Sequence, residues 1–137
     1  FENYNARIRV PGGFRMPLSA LPYRIVKTGI DLPMPELEPV LQQRIELMLQ
    51  AGALEEARAA LAVCPDPQAP GWSGIGCREL MDVLGGTLSM EACRELWYRN
   101  TRAYAKRQYT WFRADKDIRW FRPEQKDALT LHILQAL

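Results

Sequence analysis

From residue 36 onward the apolar positions recur at helical spacing. Leu37, Val40, Leu41, Ile45, Met48 and Leu49 lie three and four residues apart, which lines them along one side of a helix that begins near Glu36 and ends before Gly52. A second helix is predicted from Leu54 to Val63, with Glu55, Glu56 and Arg58 facing outward. Pro65, Pro67 and Pro70 follow it and have no N–H to donate to a helical ladder. A short third helix should follow Gly76 and run to Leu84, where Gly85 and Gly86 stop it. Ser89 suits the N-cap of a fourth, and Glu91 places a negative charge at the positive end of its dipole. Between Met90 and Arg113 nothing breaks the helix, so this is the longest predicted element, with Asp115 and Asp117 at its exit. Ile118 to Phe121 reads as a brief extended segment. A terminal helix is predicted from Pro123, a favoured first-turn residue, to Leu137.

The N-terminal part follows a different pattern. Residues 1–22 hold Pro11, Gly12, Gly13, Pro17 and Pro22 among scattered aromatics, which reads as a loop or the remnant of an insert. The run from Tyr23 to Leu32 is short, rich in β-branched residues and bounded by Pro22 and Pro33, so it reads as one strand. A single strand is not stable alone, and the rest of its sheet is expected in sequence that is absent here. The expected fold class is mainly α, a bundle-like portion at 36–137 with one strand at 23–35 ahead of it.

Composition refines this picture through the placement of charge. With 137 residues, 47% of them hydrophobic, the chain can bury the core of one domain. Lys and Arg number 18 against 16 acids, for a net charge of +2, so the total does not require a polyanionic partner. From Arg94 to Arg113, however, six basic residues accompany one acid, Glu95. At about 100° per residue, Met90, Cys93, Trp97, Tyr104 and Trp111 fall on one side of the fourth helix, and Arg99, Arg102, Lys106 and Arg113 on the other. Trp97 and Trp111 are therefore both expected to pack. A solvated face usually mixes signs, whereas this stripe has no carboxylate along it from Arg99 to Arg113. Such a stripe suits successive phosphates, and Tyr109 or Phe112 nearby offers ring surface to an unstacked base. Asn100, Thr101 and Gln108 lie at the margin of the apolar side and need partners, either in neighbouring loops or, for Gln108, in a substrate-facing loop.

Several chemistries are disfavoured. Cys64, Cys77 and Cys93 are odd in number and lack CxxC spacing, and His132 is the sole histidine, which argues against zinc and a disulfide framework. No signal-peptide pattern or long apolar run is present, and a reducing cytoplasm is expected. There is no GxxxxGKS or GxxxxGKT, no convincing carboxylate pair and no nucleophile motif, so these residues are not expected to catalyse a reaction alone. The rival reading is a stand-alone helical RNA-binding or protein-interaction module, against which the orphan strand argues.

The run from Thr101 to Arg113 fills every defining position of TRxxAKRQxTWxR, and so resembles the signature of the tRNA dimethylallyltransferase family. Gln43 to Ala57 is similar to that family's RVxxMLxxGLxEEV helix pair, and Gly74 to Leu80 to its IGYKEL turn, the resemblance covering about residues 23–121. It implies transfer of a dimethylallyl group from dimethylallyl diphosphate to the exocyclic amine of the adenosine 3′ of the anticodon, with Mg2+. The family's phosphate-binding loop, catalytic Asp and nearby Thr lie in an N-terminal half that is not present here. The resemblance thus makes 23–35 the last strand of a missing α/β P-loop-type core and 36–137 the RNA-facing part. It implies no catalytic residue, metal or cofactor held by this piece. It assigns tRNA contact to Gly74, Ile75, Gly76, Cys77, Arg78 and Glu79, and to Arg102, Lys106, Arg107, Gln108, Tyr109, Thr110, Trp111, Phe112 and Arg113. Arg44 resembles an arginine on the diphosphate side of the family's channel. Cys77 stands where the family usually carries an aromatic, so no ring contact is available there. The implied partner is a tRNA anticodon stem-loop, with no membrane partner and a monomeric whole enzyme.

Overall fold

The computed structural model describes residues 7–9, 15–17 and 25–136. Two compact units divide the chain, Leu32–Ala114 forming one and the segments Phe1–Asp31 and Asp115–Leu137 the other.

In the Leu32–Ala114 unit, α1 spans Met34–Gln50 and α2 spans Ala53–Val63. The Pro-rich link then forms a single 3-10 turn at Pro70–Ser73, followed by α3 at Cys77–Leu84 and α4 at Met90–Arg113. The start of α1 lies ahead of the predicted Glu36, because Pro35 in the first turn loses no bond there. Gly52 takes φ 96° between α1 and α2, the left-handed conformation that closes α1 without a Cβ penalty. Ser89 caps α4 as expected, its Oγ accepting from the Ala92 N–H at 3.2 Å. The core joins Ile45 of α1, Ala57 of α2, Trp72 of the turn, Leu80 and Met81 of α3, and Cys93 and Trp97 of α4. Burial pushes the Cys93 thiol pKa up, so this thiol is a packing group rather than a nucleophile.

The other unit corrects three expectations. Arg7–Arg9 (β1) and Arg15–Pro17 (β2) pair antiparallel with Ile8 opposite Met16, where a loop was expected. The remainder of 1–22 lies outside the described residues. Lys27–Ile30 (β3) is not without a partner in this chain. It pairs in parallel with Ile118–Phe121 (β4), Lys27 opposite Ile118 and Ile30 opposite Phe121. Local hydrophobic pattern cannot announce a pairing between segments so far apart in sequence. Finally, α5 covers only Lys126–Leu134. Pro123 sits instead in a turn closed by the Gln125 N–H on the Arg122 carbonyl at 3.0 Å, the second position of a turn being one that its fixed φ suits.

Charge ties this unit together. Lys27 donates to Asp115 at 2.7 Å and lies 3.5 Å from Asp117. Asp115 is 5% exposed and also accepts from the Asp117 N–H at 3.0 Å. The hydrogen bond from Lys27 holds the Asp115 carboxyl below the usual carboxylate range, and Asp115 in turn raises the Lys27 ammonium. Phe121 is buried, with the His132 ring of α5 5.7 Å away.

Candidate nucleic-acid interface

An open groove of about 770 Å3 lies within the Leu32–Ala114 unit. Leu37, Leu41, Arg44, Ile45 and Met48 enter it from α1, where three- and four-residue spacing puts them on one side. From α4 come Trp97, Thr101, Tyr104, Ala105, Arg107 and Gln108 by the same periodicity, and Ser73, Gly74 and Ile75 line it from the link before α3. The walls are largely apolar, with the Trp97 and Tyr104 rings among the aliphatic side chains. Arg44 and Arg107 supply positive charge, Gln108 supplies an amide, and no Asp or Glu is among the lining residues. Arg107 also stands 5.6 Å from the Tyr104 ring centroid, in cation–π range. An apolar trough with guanidinium groups suits a ligand that joins a flat or aliphatic group to phosphate.

The glycine turn is built from within. Gly76 takes φ 95°, and a Cβ there would stand 2.5 Å from Trp97 Cε2 and Cζ2. Only glycine fits that close approach. Glu79 is 2% exposed, and its Oε2 accepts from the Gly76 N–H at 2.7 Å while its Oε1 accepts from Asn100 Nδ2 at 2.7 Å. Glu79 therefore faces the protein interior, not a surface for RNA as its place in the turn suggested. The same bond answers where the Asn100 amide finds its partner. Thr101 satisfies its hydroxyl on the Trp97 carbonyl at 2.8 Å.

Of the residues singled out from sequence, Arg44, Gly74, Ile75, Arg107 and Gln108 are brought together on the groove, although they come from three separate stretches. Cys77 and Arg78 are exposed on the first turn of α3, with Arg78 3.6 Å from Asp82. Gly76 is buried and is not among the groove's lining residues. Lys106, Thr110, Phe112 and Arg113 are exposed along the last turns of α4. Arg102 lies 2.5 Å from Glu38 of α1, whose carboxylate holds the guanidinium above its ordinary range. The basic stripe thus has a carboxylate partner after all, supplied by another helix. Tyr109 donates its hydroxyl to the Leu32 carbonyl, and Arg113 lies over its ring at 5.0 Å, so one ring face is already occupied. Trp111 is 66% exposed, contrary to the packing role expected for it.

Sequence reasoning missed Ser73, Thr101 and Tyr104 as groove residues. Following the Trp97 side of α4 at helical spacing leads to Thr101 and Tyr104. No sequence signal points to Ser73. Among the described residues, no group of three or more His, Cys, Asp or Glu is placed to hold a metal ion, and no helix is long and apolar enough to cross a membrane.

Residues 6–115 match the family model for IPP transferase. The chain is 61% identical over 107 residues to a tRNA dimethylallyltransferase of Nitratidesulfovibrio vulgaris (strain Miyazaki F), covering 78% of this chain and 32% of that protein. It is 52% identical over 116 residues to a tRNA dimethylallyltransferase of Maridesulfovibrio salexigens, covering 85% and 38% respectively. Among solved structures it is similar to the full-length tRNA isopentenylpyrophosphate transferase of Bacillus halodurans, with a TM-score of 0.74 and 29% identity, covering 87% of this chain and 40% of that one. It is likewise similar to the tRNA delta(2)-isopentenylpyrophosphate transferase of Staphylococcus epidermidis, with a TM-score of 0.74 and 28% identity, covering 82% and 39%. This chain therefore spans well under half the length of the relatives it matches.

Proposed function

Because this chain belongs to the IPP transferase family, we propose that it is the RNA-facing part of a tRNA dimethylallyltransferase and that the chemistry resides in sequence outside it. In the reaction, the exocyclic nitrogen of the adenosine 3′ of the anticodon bonds to C1 of the dimethylallyl group. The C1–O bond to diphosphate breaks, diphosphate leaves with the electron pair, and the amine gives up a proton. The observation that carries this reading is the groove, which joins Arg44, the Gly74–Ile75 turn and the Arg107–Gln108 pair on one apolar trough. Arg44 neutralises donor diphosphate, while Arg107, Gln108 and the turn meet the anticodon loop. Lys106 and Arg113 hold flanking phosphates from the exposed end of α4, with Arg102 assisting where Glu38 releases it. The implied Mg2+ finds no cluster of three or more candidate ligands among the described residues. A tRNA substrate places the work in the cytoplasm, carried out by a monomeric enzyme.

The test compares the whole protein that carries this chain with residues 1–137 alone. Each is mixed with labelled dimethylallyl diphosphate, Mg2+ and an anticodon stem-loop RNA. Label is expected on the adenosine amine with the whole protein and not with the shorter chain. Turnover by the shorter chain places the chemistry within it. Absence of transfer by the whole protein, with RNA binding retained, supports the stand-alone binding module instead.

A further inference from the structure

Glu79 is costlier than a helix cap requires. A solvated carboxylate at this position caps α3 equally well, yet Glu79 is 2% exposed, and no cation is among its hydrogen-bond partners. Burying a carboxylate is unfavourable unless donors replace the water it loses. The two donors it has come from places that matter to the groove. The Gly76 N–H belongs to the turn that supplies Gly74 and Ile75 to the groove, and Asn100 Nδ2 belongs to the helix that supplies the facing wall. Both bonds are 2.7 Å, the short range of charge-assisted contacts. Without such a link a turn with glycine at 74 and 76 is the loosest part of the wall, since glycine accepts many backbone conformations. The turn also leaves the Ile75 N–H without a partner among the described residues, a donor whose position depends on how firmly Gly76 is held.

We propose that Glu79 and Asn100 are positioning residues that clamp the Gly74–Gly76 turn onto α4, so that the groove presents a fixed wall and a fixed Ile75 amide to the anticodon loop. This rests on the RNA-facing reading of the groove. The clamp has a built-in polarity, one acceptor pair facing two donors. Asn100→Asp alone sets carboxylate against carboxylate, whereas Glu79→Gln alone removes the charge and keeps its bond to Asn100 only by turning the Asn100 amide over, so that its oxygen accepts. Combined, they restore both bonds: the new side-chain amide on α3 accepts from the Gly76 N–H and donates to the new carboxylate on α4.

The experiment measures KM for an anticodon stem-loop, KM for dimethylallyl diphosphate and melting temperature in the whole protein, for both single variants and the double. Kinetics are run well below every melting temperature. Asn100→Asp is expected to raise the RNA KM roughly tenfold, the effect of about one charge-assisted hydrogen bond, and Glu79→Gln by less, with the donor KM little changed in both. The double variant should return the RNA KM to within about threefold of wild type. An Asn100→Asp variant that melts earlier but keeps the wild-type RNA KM, or a double that does not recover, overturns the proposal. If the unaltered protein transfers nothing to RNA, the functional reading fails separately. Exchange of the Gly76 amide then decides the clamp: protection lost in Asn100→Asp and regained in the double supports it, and a rapidly exchanging Gly76 amide in the unaltered protein overturns it.

Discussion

Trp97 and Trp111 stand on the same side of α4, about four turns apart, yet the first is 5% exposed and the second 66%. The N-terminal half of the helix has neighbours on that side: Ile45, Trp72, Leu80 and Met81 cluster with Cys93 and Trp97. Beyond Ala105 no residue of α4 is buried. Length explains the difference. At 24 residues α4 runs about 36 Å, whereas the 17 residues of α1 and the 8 of α3 run about 26 Å and 12 Å. The same periodic face is therefore core at one end and open surface at the other, where it continues past Tyr104, Arg107 and Gln108 of the groove.

The largest expected effect tests that contrast directly. Trp97→Ala should cost about 3–5 kcal/mol in denaturant unfolding, because a buried ring leaves a cavity. Trp111→Ala should stay within about 0.5 kcal/mol, as surface changes usually do. Equal losses at the two positions would erase the difference between the helix halves. If Trp111→Ala keeps its midpoint but loses RNA affinity by roughly tenfold or more, the exposed ring stacks on a base.

Gly76→Ala should come next, costing roughly 1–3 kcal/mol because it strains a positive-φ position and drives a methyl into Trp97. Gly74→Ala is the control, since the nearest atom to its added Cβ is 3.5 Å away, an ordinary contact. Near-equal melting temperatures for the two variants would show that the turn is not seated on Trp97.

A smaller effect separates the two units. Asp115 has its pKa depressed in the fold, so its contribution is present above the unfolded carboxylate value of about 3.9 and is lost as pH falls through the lower folded value. Lys27 has its pKa raised, so its contribution is complete below about 10.4 and is lost as pH climbs through the higher folded value. Asp115→Asn should lower the melting temperature at pH 7 by a few degrees and flatten the fall in stability below about pH 4. Amide exchange should show the loss at β3 and β4 and spare the α1–α4 core. An unchanged acid limb would remove the ion pair from the account of this unit.

The smallest expected change concerns two cations on the basic stripe. Lys106→Ala should reduce the magnitude of the salt slope of tRNA binding by about 0.7, the loss of one phosphate contact to a single strand. Arg102→Ala should reduce it less, because Glu38 already neutralises that guanidinium. Equal slopes for the two variants would mean that the ion pair opens fully on the RNA.

Local chemistry in the sequence determined where most helices begin and end. Ser89 has the side chain that caps α4, Gly52 has the freedom that closes α1, and the run from Met90 to Arg113 contains nothing that breaks a helix. The family was legible too, because the Thr101–Arg113 motif survives as a string of residue types. Tertiary structure alone decided which of those residues share a site. Arg44, Ser73, Gly74 and Gln108 meet because α1, the turn and α4 pack together, and no periodicity within one element records the length or phase of another. The same holds for Glu79, whose place in the motif suggested a surface role until Gly76 and Asn100 took both of its oxygens. It holds again for β3, whose partner β4 lies beyond all four of the packed helices. Capping, chain breaking and helical phase act over one to a few turns and can be read along the chain, whereas burial and pairing depend on which distant segment fills the space beside a residue.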